Sequence, residues 1–162
     1  MIDQIEAPIL KKYHPRRERS RKHLTPGEVG QLLAAAKKKS RNSERDHCLL
    51  LLMFQHGLRV TEACKLKLSD VDLSERIIHI KRLKNGVSNS QPIYTNELRA
   101  IRDWLGVREV MSKLGAGNTL FISERKRQLS RSMVCRIVQD AAEAAGIAHL
   151  NCHPHQLRHA CG

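Results

Sequence analysis

Two arginines, a lysine and a histidine in this 162-residue chain have the types and surroundings to handle a phosphate group. Arg59 stands in Gly57-Leu58-Arg59-Val60-Thr61-Glu62, at the seam between two predicted helices. A guanidinium projecting from such a rigid base can grip two oxygens of one phosphate. It can equally pair with Glu62 or a helix-end carbonyl, and the motif leaves both readings open. Lys84 sits in a tight-turn signal, Lys84-Asn85-Gly86, beside Lys81 and Arg82. A lysine whose pKa is lowered by neighbouring cations can protonate a departing oxygen, whereas alone on a hairpin tip it is a solvated charge. Arg82 and Lys84 project to one side if the strand pattern holds. His155 and Arg158, three residues apart, share a helix face. Near a helix start, exposed amides favour an anion beside them; a first-turn histidine with a surface arginine is the plainer alternative. His159, one step round from Arg158, is expected to pack or to bind a backbone group.

Cys152, His153, His155, His159 and Cys161 crowd the end of the chain. His155 and His159, at i and i+4, can share a metal ion. Without a paired CxxC or an HExxH glutamate, however, no metal site is predicted. Neither GxxxxGK[ST] nor GxGxxG occurs, so no nucleotide cofactor is expected, and no GxSxG hydrolase signature is visible.

The charge balance names a partner class. Lys and Arg total 29 against 16 Asp and Glu, a net charge of +13 with a pI near 10.0. A domain this basic suits a polyanion, since cations on phosphates release condensed counterions. Duplex DNA is the leading candidate. Aromatics are only 3% of the chain, too few for the stacking platforms of single-strand readers. RNA binding and a membrane-surface role stay open on charge alone. Five scattered cysteines without a CxxC pair argue against a disulfide framework. With no signal peptide visible and no apolar run long enough to span a bilayer, the expectation is a cytoplasmic protein.

The elements that must position these groups follow from periodicity and capping. Residues 1–23 are predicted to be a basic arm, carrying Lys11, Lys12, Arg16, Arg17, Arg19, Arg21 and Lys22. Such a block either tracks phosphates or stays solvated. Residues 24–162 form the predicted domain. Thr25-Pro26-Gly27-Glu28 reads as a capping box opening a helix that runs to Lys37-Lys38-Lys39. Ser43 is expected to cap the next helix, whose Leu49 to Phe54 run is apolar on nearly all sides and so buried. Gly57 is expected to end it in a left-handed cap. A short helix from Thr61 follows. Ile77 to Ile80 and Gln91 to Tyr94 read as a hairpin, and Leu120 to Ile122 as a third strand. Between them a helix from about Asn96 places Leu98, Ile101, Leu105 and Val110 at core spacing. Ser130 caps a further helix ending at Gly146, and Pro154 opens the last. The fold class is α+β: a mainly helical domain with a small antiparallel β-sheet.

Taken together and in order, the three loci resemble the catalytic domain of the tyrosine recombinases, the phage-integrase family. These proteins present G-x-R-x-x-E after a buried helix, a lysine on a β-hairpin before a Pro-apolar strand (here Lys84 before Pro92-Ile93), and H-x-x-R-H (here His155 to His159). The Arg-Leu-Lys-Asn-Gly turn and the His-Pro-His-x-Leu-Arg-His-Ala-Cys-Gly ending look closest to the short invertases that switch fimbrial genes. The resemblance covers about Arg21 to Gly162. It implies that Arg59 and Arg158 clamp a scissile phosphate of duplex DNA. It also implies that Lys84 protonates the leaving 5′ oxygen, that His155 assists proton transfer and that a tyrosine forms a 3′-phosphotyrosyl bond. Other recombinase protomers are then candidate partners, and neither metal nor nucleotide is needed. The family's tyrosine lies beyond H-x-x-R-H, while this sequence ends at Gly162. The expectation is therefore a shortened recombinase domain that carries the clamp without the attacking group, marginally stable and inactive alone. The alternative is a non-catalytic DNA-binding module competing with a full-length recombinase.

Overall fold

The computed structural model describes residues 23–82, 86–112 and 115–161. The basic arm, apart from His23, and the turn bearing Lys84 lie outside them.

Six helices and a three-stranded sheet make up the described fold: α1 (Pro26–Lys39), α2 (Ser43–Gln55), α3 (Val60–Lys65), β1 (Val71–Asp72), β2 (Ile77–Ile80), β3 (Asn89–Pro92), α4 (Thr95–Ser112), α5 (Arg131–Ala144) and α6 (Pro154–Ala160). The sheet is antiparallel in the order β1-β2-β3, with Ile78 opposite Val71 on one side and Gln91 on the other. The predicted class, mainly helical with a small antiparallel sheet, is the fold observed.

At the centre lies α2. Leu49, Leu50, Leu52 and Met53 are fully buried, enclosed by α1, α4 and α6. A helix apolar all round must be buried on all sides, and this one carries the site at its C-terminal end. α1 starts as its sequence indicates: the Thr25 amide donates to Glu28 Oε2 at 2.8 Å, and the Glu28 amide donates to Thr25 Oγ1 at 3.3 Å.

Several expectations are corrected. The N-cap of α2 is Asn42, not Ser43. The Asp46 amide already donates to the Asn42 carbonyl at 2.9 Å, and the Ser43 hydroxyl is spent on Glu44. β3 begins two residues earlier than expected and ends at Pro92. Its polar Asn-Ser-Gln run shows no apolar alternation from which to read a register. Leu120, Phe121 and Ile122 are buried but form no strand; only isolated bridges, Lys67 with Thr119 and Ile122 with Gln128, flank them. The Leu120 amide donates to the Leu66 carbonyl at 2.7 Å, and side chains satisfy much of the remaining backbone. Trp104 Nε1 donates to the Leu120 carbonyl at 2.9 Å, and the Arg108 guanidinium donates to the carbonyls of Gly117, Thr119 and Leu120. On α4, Leu98 and Ile101 are buried as expected, Leu105 only partly, and Val110 is 67% exposed. Trp104 and Arg108 take the inner face in their place. Among the described residues no helix is long and apolar enough to cross a membrane.

Candidate phosphate-binding site

Gly57 sets the geometry. Its φ of +56° is strained for any residue with a Cβ and easy for glycine. It turns the chain out of α2 so that the Leu58 amide reaches back to the Met53 carbonyl at 3.1 Å, a Schellman closure. Arg59 then becomes the N-cap residue of α3.

Glu62, one turn into α3, gathers the cations. Its Oε2 accepts from the Arg59 amide at 2.9 Å, and its Oε1 lies 3.0 Å from Arg59 Nη1. Arg82 Nη1 reaches the same carboxylate at 2.8 Å, and Arg158 Nη1 stands 4.0 Å from it. The Glu62 side chain is 1% exposed. One buried carboxylate among three guanidiniums holds them together yet balances only one charge, so the locus keeps a positive field.

Each arginine has a different task. Arg82 donates to the carbonyls of His56 and Gly57 as well as to Glu62, and its side chain is only 14% exposed. The sequence placed it among DNA contacts; the structure uses its fork as a brace. Arg59 and Arg158 are more open, at 40% and 30%, and both line a cleft of about 570 Å³. Arg59 pairs with Glu62 and also faces the cleft. His155 shares that cleft, so the structure brings Arg59, His155 and Arg158 together. Lys84 and the arm cations Lys11, Lys12, Arg16, Arg17, Arg19, Arg21 and Lys22 lie outside the described residues.

Two lining cations were not singled out from the sequence. Lys65 ends α3 and Arg131 opens α5. No spacing links residues so far apart, and only packing of α3 against α5 brings them together. His159 departs from expectation: it is exposed, and its Nε2 lies 2.6 Å from Nε2 of His155. Partial desolvation, His159 and Arg158 together lower the His155 pKa, so the imidazole is neutral over more of the pH range. A larger cavity, about 840 Å³, opens between α1 and α5 beside Arg136 and Asp140. It holds none of the convergent groups described above, and the smaller cleft is the better candidate.

Behind the site, the corner is pinned from beneath. His56 and Glu97 are buried with Nε2 and Oε1 2.7 Å apart, and His56 Nδ1 lies 2.7 Å from Gln91 Oε1. His56 and Glu97 are close enough to attract, but their alignment falls outside hydrogen-bond geometry. This contact ties the end of α2 to α4, and Gln91 ties it to β3.

Comparison with known proteins bears on the family and the fold. The phage integrase family profile matches residues 22–162. Type 1 fimbriae regulatory protein FimB of Escherichia coli K12 is 38% identical over 144 residues, covering 89% of this chain and 70% of that protein. FimE of the same strain is 40% identical over 142 residues, covering 88% and 71%. The crystal structure of XerA recombinase superposes with a TM-score of 0.71 at 30% identity, covering 85% of this chain. The chain spans 47% of the XerA chain, less than half its length. With the profile running through both arginine motifs and the same helical fold in a solved recombinase, the chain belongs to the phage integrase family, the tyrosine recombinases.

Proposed function

We propose that the cleft binds the backbone of duplex DNA, with Arg59 and Arg158 clamping one phosphate. The observation that carries this reading is the convergence of Arg59, His155 and Arg158 on one cleft, with Lys65 and Arg131 at its wall. Family membership, the +13 charge and the scarcity of aromatics support it. In strand exchange, a tyrosine oxygen bonds to phosphorus while the bond to the 5′ oxygen breaks. Two guanidiniums would stabilise the charge that builds on the phosphoryl oxygens. Lys84 would supply the proton to the leaving oxygen, with His155 assisting.

Among the described residues no tyrosine lines the cleft. Tyr94 is 59% exposed ahead of α4 and does not line the cleft, and Tyr13 lies in the arm. The chain would then hold the phosphate through Arg59 and Arg158. The arm would extend the phosphate contacts, and further protomers of the family would be partners on the DNA.

The test pairs binding with trapping. Duplex affinity, measured by fluorescence anisotropy at two salt concentrations, should exceed that of an Arg59→Ala/Arg158→Ala double variant. A nicked duplex that traps phosphotyrosyl intermediates should give no covalent product. Equal binding by the double variant would remove the clamp. A covalent product would show that the chain supplies its own nucleophile.

A further inference from the structure

His155 and His159 stand one helical turn apart on α6, and their Nε2 atoms meet at 2.6 Å. The rings are nearly perpendicular, at 84°, with centroids 4.1 Å apart. Two imidazole nitrogens this close either share one hydrogen or direct both lone pairs at a common cation. We propose that the pair is a two-point chelating site for a late first-row transition ion, of the Zn²⁺, Ni²⁺ or Cu²⁺ class.

The chemistry selects that class. Imidazole nitrogen suits these ions, whereas Mg²⁺ and Ca²⁺ require oxygen ligands that the pair lacks. Metal–nitrogen bonds of about 2.0–2.1 Å place two ligand nitrogens roughly 2.9–3.4 Å apart, depending on the angle at the metal. From 2.6 Å the pair must therefore open by roughly 0.3–0.8 Å. Both rings are exposed, so small side-chain rotations provide this without disturbing the core. Neutral imidazole is the binding form. Arg158, the cation beside the pair on α6, turns its guanidinium to the Gly57 carbonyl and Glu62, while Arg59, Lys65 and Arg131 share the cleft with His155 and oppose a bound cation. Among the described residues no group of three or more His, Cys, Asp or Glu side chains converges. The site is thus an open, exchangeable one, with water completing the shell, and not a structural zinc site.

An ion held there occupies Nε2 of His155. Under the proposed function, which this consequence alone requires, it takes His155 out of proton transfer. The binding itself does not depend on that function, so the two can fail separately.

The test is a Ni²⁺ and Zn²⁺ titration of the 162-residue chain by calorimetry, with His155→Asn, His159→Asn and His153→Asn variants. Wild type and His153→Asn should bind one ion tightly, and loss of either chelating ring should weaken that site by roughly a hundredfold. Side-chain ¹⁵N spectra of wild type provide a measurement free of mutation: sub-stoichiometric Zn²⁺ should move the Nε2 signals of His155 and His159 ahead of those of the other histidines. Equal affinity in wild type and His159→Asn, or a first Zn²⁺ response at other histidines, would overturn the proposal.

Discussion

The guanidiniums of Arg82 and Arg158 donate to one acceptor, the Gly57 carbonyl oxygen, at 3.2 and 2.9 Å. Residues just past β2 and on α6 are thereby fixed to the same atom at the end of α2. Two cations so close require a nearby anion, and Glu62 supplies it at 2.8 Å from Arg82. Removing that charge leaves the arginines facing one another in a partly buried setting. Glu62→Gln should therefore destabilise the fold by about 3–5 kcal/mol, the range for a buried pair that loses one partner. A urea denaturation midpoint close to wild type would contradict this role.

Arg59 and Arg82 both bind Glu62 but differ in exposure, 40% against 14%. Arg59→Ala should mainly weaken duplex binding and lower the slope of log affinity against log salt by about one. Arg82→Ala should mainly lower the melting temperature, because it removes the brace beneath the corner. Anisotropy titrations and thermal melts on both variants check the division, and the reverse pattern would exchange the roles.

What could be read from the sequence follows from range. The capping box at Thr25 and Glu28 and the glycine end at Gly57 are local devices, decided within a few residues, and both formed as read. The motif arginines were legible because their family context fixes spacing and order. Arg82 was legible as basic but not as buried, since its partners, His56, Gly57 and Glu62, come from a different part of the chain. Lys65 and Arg131 escaped notice because only tertiary packing joins them. Leu120 to Ile122 misled for the opposite reason. Three buried apolar residues resemble a strand until Trp104 and Arg108, from α4, claim the Leu120 carbonyl and Arg45, from α2, the Ile122 carbonyl.

Arg108 accordingly performs a structural task that its charge disguises. It is 6% exposed and donates to three carbonyls of the 117–120 segment, at 2.6 to 3.2 Å. Methionine would fill much of the same space but donate nothing, leaving the part-buried carbonyls of Gly117 and Thr119 without this donor at up to about 1–3 kcal/mol each, while the Leu120 carbonyl keeps Trp104. Arg108→Met should cost at least about 2 kcal/mol in denaturant unfolding and speed amide exchange in the segment from Gly117 to Ile122. Unchanged exchange there would show that the segment holds itself.

Acid sensitivity should enter through His47 on α2. Its pKa is lowered from 6.5, first by burial and then by Lys37, with Asp103 opposing. Above pH 6.5 the ring is neutral whether the chain is folded or not, and it adds no pH dependence. As the pH falls through 6.5, the unfolded chain takes up the proton before the folded one, so stability declines. The decline continues until the pH passes below the lowered folded value, where both states are protonated. His47→Gln has no such proton to bind and should lose less stability on acidification through this window. Urea unfolding of wild type and variant at stepped pH from 7.5 downward gives the difference directly. Parallel curves would show that His47 titrates alike in both states.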